Sequence, residues 1–194
     1  MAKSPERCPW PADDLLMILY HDTEWGVPVY DDRKFFEFIL LDAFQAGLSW
    51  KTILHKRENF RQAFDGFDFN IIAGYDRRKI ELLLKNKGII RNRLKVESTV
   101  KNAQAVLRLK EKQGSLSDYL WSFTGGKPIV GNWKSLSQIP PSTTVSDRMS
   151  KSLKKEGFSF VGSTICYSFM QAAGLVNDHL LSCPRHREIL SFAS

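Results

Sequence analysis

Two Cys/His pairs stand at opposite ends of the chain. Cys8 and His21 lie near the N-terminus, and His179 and Cys183 lie near the C-terminus at i, i+4 spacing. Two thiolates and two imidazoles form a complete tetrahedral ligand set for Zn²⁺, with no position left for water. If all four bind one ion, that ion is structural and holds the two ends of the chain together.

Other interpretations of these residues stay open. The long separation is also consistent with incidental cysteines and with histidines that are ordinary polar residues. His55 and His186 are substitutes for either histidine, although neither has a cysteine at a comparable helical interval. His179 and Cys183 share a helix face only if their segment is helical. The third cysteine, Cys166, stands in an apolar run and is predicted to lie in the core.

The spacing of apolar residues predicts an all-α fold, a compact helical bundle. Apolar residues recur at intervals of three and four, and no convincing alternating run appears. We expect helices at 13–21, 33–46, 76–86, 91–112, 119–123 and 164–173, one that starts after a cap at Ser49, and one capped by Ser146 or Asp147. A chain of 194 residues, 43% of them apolar, fits a single domain over 1–194, with 1–7 and 184–194 as candidate flexible tails.

The charge balance favours a polyanionic partner. The net charge is +7, from 28 Lys and Arg residues against 21 Asp and Glu residues, which suits nucleic acid. An anionic membrane surface is the weaker alternative, because no long basic amphipathic helix is present. No run of about 18 apolar residues occurs, so we expect a cytoplasmic protein without a membrane span. Three cysteines are too few for a disulfide framework.

Three residues near the first Cys/His pair predict a binding pocket. Tyr20 directly precedes His21, and Trp50 stands near the start of a predicted helix. Asp42 is a carboxylate in an otherwise apolar helix, and a buried carboxylate needs a partner. Two rings and a carboxylate suit a flat cationic ligand, which the rings hold by stacking and cation–π attraction. The alternative for Asp42 is a structural hydrogen bond to a backbone or hydroxyl group.

A short glycine turn with basic neighbours predicts a helical hairpin that binds DNA. Gly88 can expose backbone amides, and the start of the next helix directs its positive dipole end toward a phosphate. Lys85 and Lys95 add charge around the turn. The alternative is a tight turn with a solvated basic rim. The candidate DNA-binding residues are Lys87, Gly88, Ile89, Ile90, Arg91 and Arg93.

Motifs spread over almost the whole chain share the pattern of one known family. They are Arg7-Cys8-Pro9-Trp10, Tyr20-His21-Asp22, Glu24-Trp25-Gly26-Val27-Pro28, Gln45-Ala46-Gly47-Leu48-Ser49-Trp50, Lys56-Arg57-Glu58-Asn59-Phe60, Gly88-Ile89-Ile90-Arg91 and the block from Gly157 to His179. In this order they resemble the family of DNA-3-methyladenine glycosylase I.

The resemblance implies a fold similar to the helix-hairpin-helix glycosylases and a structural zinc ion. It also implies an activity: the protein acts as a monomer on alkylated double-stranded DNA, flips out 3-methyladenine and hydrolyses its N-glycosidic bond. No lysine stands in an evident apolar pocket, so the reaction is expected to stop at an abasic site. The zinc ligands implied are Cys8, His21, His179 and Cys183, and the base pocket implied is Trp10, Tyr20, Trp50 and Asp42, with Asp42 as the catalytic carboxylate.

Two positions depart from the family pattern. Family members carry Glu at the position of Asp42, so the carboxylate here is one methylene shorter. Phe44 stands where polar residues are usual, which predicts a more apolar pocket wall. These departures keep two alternatives open: a lesion-binding module that has lost catalysis, and a glycosylase for another alkylpurine. Trp25, Trp121 and Trp133 are predicted to be core or scaffold residues.

Overall fold

The structure, a computed structural model, describes residues 6–192. The chain is mostly helical over this range, as the apolar spacing predicted. The helices are α1 (Leu15–Thr23), α2 (Asp32–Gln45), α3 (Trp50–His55), α4 (Arg57–Ala63), α5 (Phe69–Ile72), α6 (Arg77–Lys85), α7 (Arg93–Gln113), α8 (Leu116–Ser122), α9 (Thr144–Lys155), α10 (Ser163–Ala172) and α11 (Pro184–Leu190). Short 3₁₀ turns occur at Asp65–Phe67 and Leu136–Gln138. None of the helices between residues 6 and 192 has the length and hydropathy that a membrane span requires.

A two-residue parallel pairing departs from the purely helical prediction. Strand β1 (Ile129–Val130) pairs with β2 (Val176–Asn177), and Gly131 N donates to Asn177 O at 2.9 Å. The pairing fastens the polar segment after α8 to the chain that follows α10. Strands this short leave no alternating pattern for a sequence analysis to detect.

Part of the C-terminal segment differs from the flexible tail considered above. Residues 184–190 form α11, in which Ile189 is buried. Pro184 occupies the first turn of this helix, where its missing N–H costs nothing. Of the tails that the sequence analysis considered, residues 1–5 and 193–194 lie outside the described residues.

Polar side chains cap the N-termini of the helices that carry the candidate site. Asp31 and Ser49 each accept a backbone N–H in the first turn of α2 and α3, as predicted. The prediction that Ser146 or Asp147 caps α9 is wrong. Thr143 is the cap, because its side chain and that of Ser146 each accept the other residue's backbone N–H in a capping box.

A buried ion network joins α1, α2 and α4. Arg57 donates two hydrogen bonds of 2.6 Å to the carboxylate of Glu24, just after α1, and one of 2.7 Å to Glu37 in α2. Glu37 is almost fully buried and also accepts from Arg61 at 3.0 Å. A buried carboxylate is tolerated when several cations surround it. The network places the end of α1, with Tyr20, against α2.

Lys95, in the first turn of α7, closes the C-terminal end of α2. Its Nζ atom donates to Phe44 O at 2.8 Å and to Ala46 O at 2.6 Å, and its side chain is buried. A helix leaves its last carbonyls unpaired, and a cation there complements the helix dipole. Burial lowers the pKa of Lys95. The expectation that Lys95 adds charge near a phosphate is therefore wrong, since it supports the turn before Trp50.

Candidate functional site

The four Cys and His residues from the chain ends meet in one buried cluster. The ligand atoms of Cys8, His21, His179 and Cys183 all lie within 4.8 Å of one another. His21 comes from α1, His179 from the segment after β2, and Cys183 from the N-cap of α11. Residues 179–183 are not helical, so the helix-face interpretation of this pair is wrong. A turn brings the two side chains together instead.

Distances within the cluster fit a tetrahedral ion. His21 Nε2 lies 3.1 Å from His179 Nδ1, and Cys183 Sγ lies 3.7 Å from each of these nitrogen atoms. Zn²⁺ bonds of about 2.0–2.3 Å separate the ligand atoms of a tetrahedral site by roughly 3.3–3.8 Å. The hydrogen bond between the two cysteines lowers the pKa of Cys183 and raises that of Cys8, so the first proton of the pair is lost from Cys183.

Hydrogen bonds outside the cluster orient both histidines. His21 Nδ1 lies 2.7 Å from Asp22 Oδ1, and Arg7 also binds the Asp22 carboxylate. His179 Nε2 lies 3.0 Å from Trp25 O, which leaves Nδ1 directed to the cluster. Partners of this kind fix the ring orientation in metal sites. The arrangement could hold a metal ion.

The two substitute histidines lie elsewhere. His55 is half exposed and binds Asp14 at 2.8 Å, and His186 binds Gly131 O at 2.8 Å. Neither belongs to the cluster of potential metal ligands.

A cavity of about 320 Å³ opens beside the cluster, a size typical of small-molecule sites. The ring centroid of Tyr20 lies 5.3 Å from that of Trp50 and 6.3 Å from that of Trp10. Trp10 also contacts the His21 ring at a centroid distance of 5.3 Å, so cavity and cluster share a wall. The lining residues are Trp10, Tyr20, Trp25, Asp42, Gln45, Trp50, Leu136, Ile139, Ser168, Gln171 and Ala172.

Asp42 reaches the cavity without a protein partner. It is 2% exposed, and its Oδ2 atom is buried and receives no hydrogen bond from any group within residues 6–192. Burial raises the pKa of Asp42 well above its usual value. A structural hydrogen bond, the alternative role, is not found among the described residues. An unpaired buried carboxylate is costly until a ligand supplies a donor or a positive charge.

Two unpaired donors accompany this acceptor. Trp10 Nε1 and Trp50 Nε1 are buried and have no acceptor in the described part of the chain. Buried indole N–H groups usually find a partner. The cavity is therefore complementary to a flat ligand that carries both acceptors and donors on its edge.

Two aromatic residues have roles that the sequence did not predict. Trp25, expected to be scaffold only, lines the cavity, and its ring centroid lies 4.5 Å from that of His179. Phe44 does not form the pocket wall, because its ring packs in the core 4.7 Å from that of Phe60. Two residues correspond to about 200° around a helix, so Phe44 faces away from Asp42.

Three polar lining residues were missed by the sequence analysis. Gln45 ends α2, and Ser168 and Gln171 lie on α10. Each interrupts a strongly apolar helical run, and the same signal singled out Asp42. Applied to α10, that signal would have indicated both residues.

The glycine turn between α6 and α7 is closed by its own side chains. Gly88 N donates to Asn86 Oδ1 at 2.8 Å, and the Gly88 φ angle is not positive. A Cβ atom there would lie 3.0 Å from Asn86 Oδ1 and 3.1 Å from Asn59 Cβ, so a larger residue would require these neighbours to shift by a few tenths of an ångström. The expectation of an exposed Gly88 amide is therefore wrong. Ile89 is buried in the core and anchors the turn.

The basic residues of this turn differ in whether their side chains form ion pairs. Lys87 and Arg91 are exposed and form no ion pair with any residue between 6 and 192. Arg93 instead binds Glu81 at 2.8 Å and lies 3.6 Å from Glu97. Lys87 and Arg91 are therefore the better candidates for contact with an external anion.

A second hairpin, α9 to α10, also presents a helix start. Gly162 is the N-cap of α10, has no side-chain cap, and has open space where a Cβ would stand. Lys151, Lys154 and Lys155 are exposed on α9. The sequence pattern predicted no function for this turn.

Comparison with known proteins gives consistent matches over nearly the whole chain. Residues 10–186 match the family model described as methyladenine glycosylase. The chain is 51% identical over 178 residues to DNA-3-methyladenine glycosylase 1 of Escherichia coli (strain K12), an alignment that covers 92% of this chain and 95% of that protein.

Solved structures agree with the sequence match. A crystal structure of 3-methyladenine DNA glycosylase I has a TM-score of 0.90 and 52% identity, covering 92% of this chain and 98% of that chain. A structure concerned with 3-methyladenine recognition by the Staphylococcus aureus glycosylase I has a TM-score of 0.90 and 36% identity, covering 93% and 96%.

Proposed function

The chain belongs to the methyladenine glycosylase family, and from this premise we propose that it excises 3-methyladenine from alkylated double-stranded DNA. The observation that carries the proposal is the cavity that combines aromatic rings with the unpaired, buried carboxylate of Asp42. Such a cavity favours a flat cation over a neutral base of the same shape.

The chemistry demands little from the protein. Alkylation at N3 gives the base a positive charge and weakens the bond between N9 and the sugar C1′. When that bond breaks, its electron pair stays on N9 and neutralises the base. Water supplies the oxygen that bonds to C1′ and releases a proton. The products are 3-methyladenine and an abasic site.

The described residues bind and orient the base. The enzyme must first extrude the nucleotide from the duplex. Tyr20 and Trp50 then stack on the cationic ring, each contact contributing roughly 0.5–2 kcal/mol. Asp42 accepts a hydrogen bond from the exocyclic amine and stabilises the positive charge. Trp10 closes the pocket beside the metal cluster.

The enzyme is monofunctional in this proposal. No lysine is found among the cavity-lining residues of the described chain. The buried Lys95 is held by two backbone carbonyls. A Schiff-base lyase needs an amine that reaches C1′, so the reaction ends at the abasic site.

Zn²⁺ is the metal that the cluster is proposed to hold, through Cys8, His21, His179 and Cys183. The closed set of two sulfur and two nitrogen ligands supports a structural ion. When bound, it supplies a cross-link between the chain ends. The residues of the cavity and of the cluster all come from one chain, which supports a monomer. The bacterial relatives are named for a DNA substrate, which supports a cytoplasmic enzyme.

The function is tested by chromatography of bases released from methylated duplex DNA. We expect 3-methyladenine to be released with little 7-methylguanine. Absence of any released base, in a sample that contains metal and binds DNA, would contradict the enzyme and favour a lesion-binding module. Release of a different alkylpurine instead would contradict the substrate.

The turn between α6 and α7 is proposed to contact the DNA backbone as part of a helix-hairpin-helix element, through the exposed side chains of Lys87 and Arg91, while Ile89 anchors the turn in the core. The free side chain of Arg91 supports this, so Arg91→Ala is expected to weaken duplex binding. The slope of log affinity against log salt should fall by about one. Arg93→Ala is the matched control and should change the slope less, because Arg93 is paired with Glu81. An unchanged slope in Arg91→Ala would direct the search to the α9–α10 turn.

A further inference from the structure

A buried carboxylate connects the metal cluster to the pocket wall. Asp178 directly precedes His179 and is 1% exposed. Its Oδ1 atom accepts from Trp133 Nε1 at 2.6 Å, and its Oδ2 atom accepts from the Tyr167 hydroxyl at 2.5 Å and from Gln171 Nε2 at 2.8 Å. Burial and the contact with Asp178 raise the pKa of Tyr167, which keeps its hydroxyl protonated as a donor.

The network is tightly packed around Asp178. A Cβ atom at Gly131 would lie 2.2 Å from Trp133 Nε1 and 2.5 Å from Asp178 Oδ1. Glycine at this position therefore provides the space in which these two groups meet. The Asp178 carboxylate is held by Trp133, which follows β1, and by Tyr167 and Gln171 of α10.

This network fixes the orientation of the Gln171 side chain. An amide has donors at its nitrogen and acceptors at its oxygen. Because the Nε2 atom of Gln171 donates to Asp178, the Oε1 atom of Gln171 points away from Asp178. Gln171 lines the cavity, and nothing in the described part of the chain donates to its Oε1. The cavity therefore gains a fixed acceptor in addition to Asp42.

We propose that Gln171, oriented by Asp178, is a specificity-determining residue that acts with Asp42 to select a 6-aminopurine cation over a 6-oxopurine cation. The inference rests on the proposed function. An exocyclic amine offers two N–H groups, one for each acceptor. An oxygen at the same position offers none, and it leaves both acceptors unpaired in a buried site, which discriminates strongly.

The test compares 3-methyladenine with 3-methylguanine released from the same methylated DNA. Gln171→Met keeps the side-chain length and removes the amide. It is expected to lower kcat/KM for 3-methyladenine about tenfold and not to lower that for 3-methylguanine, because the oxo base loses an unpaired acceptor, so that their ratio falls by about tenfold or more. An unchanged ratio overturns the proposal. If the wild-type protein releases no base, the proposed function itself fails, which is a distinct result.

Asp178→Asn tests the orienting role. The new amide donates to Gln171 Oε1 and turns the Gln171 nitrogen toward the cavity. The base ratio is expected to fall as in Gln171→Met, and the double variant should fall no further. Metal content and circular dichroism confirm that the neighbouring His179 is undisturbed. Independent, multiplicative effects of the two substitutions would overturn the orienting role.

Discussion

Replacement of Asp42 by Asn is expected to lower kcat/KM for 3-methyladenine release about 100-fold. The substitution keeps the shape of the side chain and removes the charge that stabilises the cationic base. Asp42 has no competing partner among residues 6–192, so the whole interaction is available to the ligand. Base release from methylated DNA under single-turnover conditions measures the effect. Excision at the wild-type rate would remove the electrostatic role of Asp42.

The matched control for charge is Asp42→Glu, which keeps the carboxylate and adds one methylene. Asp42 already lines the base cavity of about 320 Å³, which has room for one more methylene. We expect activity within about tenfold of wild type, because small changes of shape cost less than loss of charge. Equal losses in Asp42→Glu and Asp42→Asn would show that geometry, not charge, is decisive.

The pH dependence separates catalysis from folding. Because burial raises the pKa of Asp42, the ionised fraction and hence kcat/KM should rise with pH through that raised pKa. Asp42→Asn should lack this rise. For stability the sign is opposite: an acid with a raised folded-state pKa costs stability as pH rises above about 4, its unfolded value. The variant should therefore be the more stable protein near neutral pH, so its lost activity cannot come from unfolding.

Loss of the proposed zinc ion is expected to have the largest effect on folding. Cys183→Ser, or a strong chelator, should lower Tm by about 10 °C or more, because binding energy at a closed site is folding energy. Base release should fall as well, since Trp10 and Trp25 pack against His21 and His179 at the cavity wall. Calorimetry combined with elemental analysis measures both. A metal-free sample with an unchanged Tm would contradict the structural ion.

Cys166 provides the matched control for the loss of a cysteine. It is as buried as Cys183, but its sulfur donates to Val161 O at 3.4 Å and lies outside the cluster. Cys166→Ala should cost about 1 kcal/mol, within the range of ordinary core substitutions, and should retain the metal. Metal loss in this variant would mean that the cluster responds to any change in the core.

Local signals predicted the part of the site on α2 and α3. Asp31 and Ser49 cap these helices through contacts with residues three positions ahead, so the sequence contains the whole interaction. Asp42 stood out because a carboxylate in an apolar helix has few explanations. The Cys/His chemistry was equally restrictive, and the structure brings the four predicted ligands together.

Contacts between distant segments account for what the sequence did not predict. The orientation of Gln171 depends on Asp178 and Trp133, which no local pattern connects. The sequence around Lys95 predicts a surface charge, but the packing of α7 places Lys95 under the end of α2. The β1–β2 pairing and the turn at 179–183 likewise depend on the direction of the chain after the end of α10. The spacing of apolar residues predicts which residues are buried, but it does not predict which segment they pack against.

The joining of the chain ends has a consequence during synthesis. Cys8 and His179, 171 positions apart, meet in the cluster, and Gln171 and Ala172 complete the cavity wall. A ribosome adds about 5–20 residues per second, and N-terminal segments emerge first. The early helices are therefore synthesised long before the residues that complete the pocket wall. A nascent chain that ends before Gln171 has no complete base pocket, so it lacks the cavity in which a base would bind.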